Sequence, residues 1–102
     1  MIAIPITASK TNEAIKGIRE ASKLADLIEL RLDLIKDIDE KKLEKLLGNK
    51  KKKIIVTDRK NRLNLIKKAI ELKAGFVDLD VSMGEKTIKK VINNKKDTKI
   101  II

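Results

Sequence analysis

Short aliphatic segments recur along the chain at a nearly constant interval, and this spacing is the strongest constraint on its fold. They begin near residues 2, 27, 53, 76 and 98, at intervals of 25, 26, 23 and 22 residues. The longer stretches between them carry apolar residues at helical spacing. Such strand–helix alternation predicts a parallel sheet covered by helices. We expect one (β/α) domain over residues 1–102, with five strands and about four helices.

The residue pattern also predicts where each element lies. The predicted strands are 2–6, 27–32, 54–57, 76–81 and 98–102. The first predicted helix covers about 11–23 and the last about 85–93. Of the two helices between them, one is capped by Asp39 and ended by Gly48, and the other starts at Asn61 and stops at Gly75.

Two architectures fit this alternation: a five-stranded doubly wound sheet and the first half of a (β/α)8 barrel. Charged residues within the strands favour the barrel, since central strands of a doubly wound sheet are usually apolar on both faces. Period-two alternation places Glu29, Arg31 and Asp33 on one face of the second strand. Asp78 and Asp80 share a face of the fourth. Charges near the carboxyl ends of successive strands are typical of a barrel mouth that binds a polar anionic substrate, and a purely structural ion-pair network is the alternative.

Composition excludes several classes of chemistry. The chain contains no Cys and no His, so a zinc finger, a disulfide framework, a thiol nucleophile and an imidazole base are all excluded. The net charge is +10, which invites comparison with nucleic-acid-binding proteins. The bases are mostly lysines scattered through predicted helices, and one aromatic residue cannot form a stacking surface. We therefore expect no nucleic-acid partner. We also expect no membrane span and a cytoplasmic location.

Four segments resemble type I 3-dehydroquinate dehydratases, especially the short archaeal forms. These segments are Ile4-Pro5-Ile6, the stretch Ala25–Asp33 with its Glu-Leu-Arg-Leu-Asp motif, the stretch Ile54–Arg59 ending in Thr-Asp-Arg, and the stretch Ala74–Asp80. The Glu-Leu-Arg-Leu-Asp motif is the most specific, and the others follow it in the right order and spacing. The resemblance spans nearly the whole chain but only about the first half of the family's barrel.

The resemblance implies a lyase of the shikimate pathway, which removes water from 3-dehydroquinate to give 3-dehydroshikimate. It implies that Glu29, Arg31 and Arg59 hold the substrate's hydroxyls and carboxylate, arginine suiting a planar carboxylate through its forked donors. Asp80 stands where the family usually has Glu and is carried over only as a supporting residue. Neither a metal nor a cofactor is implied.

Several family features are missing from the sequence. The family uses a Schiff-base Lys and a His that moves protons, and the resemblance places both beyond residue 102. The lysines on predicted strands, Lys53 and Lys99, stand at strand starts, the wrong end for a barrel site. The family's Glu-Gly-Gly loop is also absent after Arg59. We therefore expect no catalytic residue here, and no activity from this chain unless it is complemented.

Half a barrel would leave one sheet face and two strand edges uncovered. Three arrangements remain open: a piece of a full enzyme, closure by a homo-oligomer or a complementary C-terminal half, and an open five-stranded sheet. The alternative function is a non-catalytic basic α/β module that binds an anionic partner. The sequence does not decide whether residue 102 is the natural C-terminus.

Overall fold

The computed structural model describes residues 1–102 and contains five parallel strands that alternate with four helices. The predicted (β/α) alternation is therefore confirmed. The strands are β1 (Ala3–Ile6), β2 (Leu27–Arg31), β3 (Ile54–Thr57), β4 (Phe76–Asp78) and β5 (Lys99–Ile101). The helices are α1 (Thr11–Ala21), α2 (Glu40–Leu47), α3 (Leu63–Glu71) and α4 (Glu85–Asn93).

The order of the strands decides between the two architectures. The strands pair in chain order, β1-β2-β3-β4-β5, and every pair is parallel. Because crossovers between parallel strands are right-handed, an order without reversal places every helix on the same face of the sheet. A doubly wound sheet requires a reversal of strand order and is excluded. The structure is an open α/β sheet compatible with half of a (β/α)8 barrel.

The core lies between the sheet and its helices and is entirely aliphatic. On the helix-covered face of the sheet, Ile28, Leu30, Val56 and Val77 are at most 1% exposed. Leucines, isoleucines and alanines of α1, α2 and α3 pack onto them in one cluster of 22 buried residues. Burying each such side chain contributes about 1.5–3 kcal/mol, which explains how a chain with one aromatic residue holds this sheet together.

Three predicted boundaries are wrong for local reasons. Strand β4 ends at Asp78 instead of residue 81, because the Asp80 carboxylate accepts a hydrogen bond from the Ser82 backbone N–H (2.9 Å) and starts a 3-10 turn. Helix α3 starts at Leu63 instead of Asn61. It ends at Glu71, and the left-handed residue after it is Lys73, at φ 66°, instead of Gly75. Gly75 is needed for a close approach, because a Cβ there would overlap the backbone carbonyl of Lys52.

The cap predicted for α2 is confirmed. The Asp39 carboxylate accepts a hydrogen bond from the Lys42 backbone N–H (2.7 Å), and Gly48 ends the helix at φ 42°. None of the four helices has the length and apolar content needed to cross a membrane.

Candidate functional site on the open face of the sheet

The face of the sheet that carries no helices holds the charged residues predicted from the strand pattern. In register across the sheet, Arg31, Thr57 and Asp78 lie side by side at the carboxyl ends of β2, β3 and β4. Glu29 lies two residues before Arg31 in β2, and its neighbours across the sheet are Pro5 of β1 and Ile55 of β3. This surface, called the open face below, is partly exposed, so its charged groups are accessible to a ligand.

The Arg31 guanidinium is held by a carboxylate two residues away. Its Nε and Nη2 donate to the two carboxylate oxygens of Asp33 at 3.0 and 2.7 Å. Asp33 reaches this position because β2 turns into a 3-10 turn over Leu32–Leu34. The hydrogen bonds that Arg31 donates to Asp33 lower the pKa of Asp33 and raise the pKa of Arg31. Arg31 therefore has a fixed orientation, with Nη1 free of this pair.

Arg59 is held more loosely, between Asp78 at the end of β4 and Asp80 in the turn that follows. Its Nη2 lies 3.3 Å from Asp78 and its Nη1 lies 3.5 Å from Asp80. The Arg59 side chain is 45% exposed, whereas that of Arg31 is 29% exposed. The pKa of Asp80 is lowered, mainly by the backbone N–H of Ser82 and only secondarily by Arg59. Long distances and exposure leave Arg59 able to turn toward a ligand at small cost.

Two polar groups of the open face have no partner within the chain. The Glu29 side chain is half-buried and makes no hydrogen bond or ion pair. The Thr57 hydroxyl is buried and also lacks a hydrogen-bond partner. The buried Thr57 hydroxyl is left unsatisfied at a cost, whereas the half-buried Glu29 carboxylate is still reached by solvent. Glu29 is therefore the candidate for a contact with a ligand.

The overall charge of this site is negative. Two guanidiniums, from Arg31 and Arg59, face four carboxylates. The carboxylates belong to Glu29, Asp33, Asp78 and Asp80. The structure thus contains ion pairs of the kind expected for a purely structural network. These pairs leave the Glu29 carboxylate and some N–H groups of the Arg59 guanidinium available to a ligand.

A third ion pair, which the sequence pattern did not single out, fixes the turn that carries Arg59. The Asp58 side chain is fully buried and accepts hydrogen bonds from Nε and Nη2 of Arg62 at 2.9 and 3.0 Å. It also accepts from the backbone N–H groups of Lys60 and Arg62. Arg62 donates in addition to the Leu32 carbonyl at 3.1 Å, which joins the turns after β2 and β3. Because Asp58 and Arg62 lie in the turn before α3 and not within a helix, their four-residue spacing was not a signal for this pair.

The two strand lysines lie far from this site. Lys53 immediately precedes β3 and Lys99 is the first residue of β5, so both stand at the amino end of the sheet. No group of three or more acidic side chains is placed so that it could hold a metal ion.

Comparison with known proteins gives consistent results. The family model described as type I 3-dehydroquinase matches residues 2–102. A 3-dehydroquinate dehydratase of Methanocaldococcus jannaschii is 34% identical, the match covering all of this chain and 51% of that protein. Proteins of the same name from Methanococcus maripaludis and Methanococcus vannielii are each 31% identical, over all of this chain and 52% of their own length. The chain thus spans about half the length of the curated relatives it matches.

Proposed function

The chain belongs to the type I 3-dehydroquinase family, and from this premise we propose that its open face holds 3-dehydroquinate for dehydration to 3-dehydroshikimate. The observation that carries the proposal is that Arg31 ends β2 and Arg59 follows the end of the neighbouring β3, with Glu29 on the same face of β2 two residues before Arg31. The carboxyl end of the strands is where (β/α) barrels bind their substrates. The three residues stand on the motifs through which the chain resembles the family.

The two arginines suit different tasks. We assign the substrate carboxylate to Arg59, because its contacts with Asp78 and Asp80 are long and its fork can turn to bind a carboxylate through two hydrogen bonds. Arg31 is already fixed by Asp33 and offers Nη1 as a rigidly placed donor. Asp80 acts as a supporting residue that restrains Arg59 while the site is empty.

Glu29 is assigned to the substrate hydroxyls. An ionised carboxylate accepts hydrogen bonds only, and a hydroxyl is a suitable donor. Because Glu29 has no partner within the chain, binding a hydroxyl would satisfy it without breaking an existing contact. This explains how one face can bind the anionic and the neutral ends of the same substrate.

The proton transfers and the Schiff base need groups that the chain does not supply. The chain contains no His, and its strand lysines stand at the amino end of the sheet. The site is also net negative, so that a bound substrate carboxylate would be repelled unless further cations approach the open face. The charge of the site therefore also indicates that groups from elsewhere are needed. We propose that these groups come from a complementary C-terminal half, in the same protein or as a separate chain. A homo-oligomer could cover the open face, but it would bring no His.

The test is complementation with a matched pair of variants. The chain is mixed with the part of the Methanocaldococcus jannaschii relative that follows the matched half, and dehydration is followed by the ultraviolet absorbance of the conjugated enone product. Restored dehydration is expected. Arg59→Gln should then lower kcat/KM at least about 100-fold, whereas Lys60→Gln removes the same charge from the neighbouring residue and should change it less than about threefold.

Two outcomes would contradict the proposal. A stable complex of the two halves that neither dehydrates nor binds 3-dehydroquinate would exclude a substrate site on this open face. Equal losses for Arg59→Gln and Lys60→Gln would show that the arginine acts only through its charge, with no directed contact.

A further inference from the structure

The two ends of the sheet differ sharply in charge. The segments that lead from strands into helices contain five basic and five acidic residues, so their net charge is zero. The segments that lead from helices into strands contain eight lysines and two aspartates, a net charge of +6. More than half of the protein's +10 charge is thus at the amino end of the sheet, opposite the proposed substrate site.

Part of this charge lines a concave groove. The groove has a volume of about 500 Å³ and is lined by Lys51, Lys52, Lys73 and Lys99, with Asp97 as its one acidic group. None of these lysines forms an ion pair; the lysines that do are Lys42, Lys68 and Lys89, which lie on helices. Four unpaired ammonium groups around one depression repel each other, and a bound anion would relieve this repulsion.

The backbone beneath the groove is tied together. The Gly75 N–H donates to the Lys51 carbonyl at 2.8 Å, and the Lys99 N–H donates to the Gly75 carbonyl at 3.0 Å. The buried Thr98 hydroxyl donates to the Ala74 carbonyl at 2.8 Å. The segments before β3, β4 and β5 therefore form one ordered rim, so that binding an anion does not require the backbone that carries these lysines to be ordered first.

We propose that this groove binds a compact, multiply charged phosphate anion of the inorganic tripolyphosphate type. Lysine ammonium groups bind phosphate oxygens as point charges, and the volume lies within the range of small-molecule sites. The groove offers no free aromatic ring on which a nucleobase could stack. The one aromatic ring, that of Phe76, is covered by the Lys99 ammonium at 5.8 Å from its centre. The site lies at the end of the sheet opposite Arg59 and is independent of the dehydratase proposal.

The test is calorimetric titration of the purified chain with sodium tripolyphosphate, at low and at physiological salt. The groove variant is Lys52→Gln/Lys73→Gln/Lys99→Gln. The control is Lys16→Gln/Lys41→Gln/Lys86→Gln, which removes the same charge from exposed positions on α1, α2 and α4. The groove variant should bind at least about tenfold more weakly, and the control should lose less than about threefold.

Further measurements make the result decisive. Lys52→Gln alone is expected to weaken binding about threefold, so the proposal does not depend on the folding of a triple variant. Equal losses in the groove and control variants would overturn it, as would a wild-type chain that does not bind tripolyphosphate. A short DNA duplex that binds through the same lysines while tripolyphosphate does not would also overturn it, in favour of a nucleic-acid surface. None of these results depends on dehydratase activity.

Discussion

Asp33 illustrates how one residue next to the proposed substrate site contributes to stability. Its pKa is lowered in the folded chain, mainly by the hydrogen bonds from Arg31. The folded carboxyl therefore binds a proton less readily than the unfolded one. The resulting stabilisation is fully present above the unfolded pKa, near 3.8, and is lost as the pH falls through the lower folded value.

We predict that Asp33→Asn lowers the free energy of unfolding by about 1 kcal/mol at pH 7, and that this difference is smaller at an acidic pH below the unfolded value of 3.8. Urea unfolding at both pH values measures it, with Glu44→Gln on the exposed face of α2 as the control. An equal loss at both pH values would show that the effect does not come from the ionised carboxylate.

Single residues also show how far the sequence predicts the site. Period-two alternation correctly placed Glu29 and Arg31 on one strand face, because strand geometry alone determines this. Alternation does not predict which charges pair. Asp33 lies beyond the end of β2 and reaches Arg31 only because the chain turns there. The Asp58–Arg62 pair was missed, since its role depends on burial, which the sequence of a turn does not reveal. The substrate contacts of Glu29, Arg31 and Arg59 remain predictions.

At the scale of the elements, helix α3 ends with a lysine at a backbone position that glycine would occupy with less strain. The Lys73 N–H donates to the Ile70 carbonyl and the Ala74 N–H to the Ala69 carbonyl, which is a Schellman motif with lysine in the left-handed position. Glycine is the residue that usually occupies this position, and its preference led to the incorrect prediction that the helix stops at Gly75. A lysine there is strained, and the same lysine lines the proposed anion groove.

We predict that Lys73→Gly raises the free energy of unfolding by about 0.5–1 kcal/mol, because glycine adopts a positive φ without strain. Lys67→Gly, on the exposed face within α3, should lower it by about 1 kcal/mol. Chemical denaturation of the two variants measures both effects. A destabilising Lys73→Gly would show that the lysine side chain contributes more to stability than the backbone strain costs.

At the scale of the whole molecule, the sequence left two architectures open because alternation determines only that the strands are parallel. Their order depends on where each crossover returns, and the charged strand faces were the one indication of an uncovered side. The order β1 to β5 without reversal leaves one face without helices and the outer sides of β1 and β5 without partners. Ile2, immediately before β1, and Ile101 of β5 are exposed apolar residues.

This arrangement leads to a prediction about closure that is independent of catalysis. In the chain alone, amide hydrogens of β2, β3 and β4 should exchange slowly, because each strand has a neighbour on both sides. Those on the outer sides of β1 and β5 should exchange fast. If a complementary half closes a barrel, it must pair with both outer strands, and their exchange should slow at least about tenfold on mixing.

Hydrogen-exchange mass spectrometry of the chain with and without the segment from the Methanocaldococcus jannaschii relative measures this directly. Bovine serum albumin at the same concentration controls for nonspecific contact. Slowing confined to the open face, with β1 and β5 unchanged, would contradict closure, because it would show a partner that covers the sheet without extending it. Slowing at only one of the two strands would indicate that the sheet grows at one side and stays open at the other.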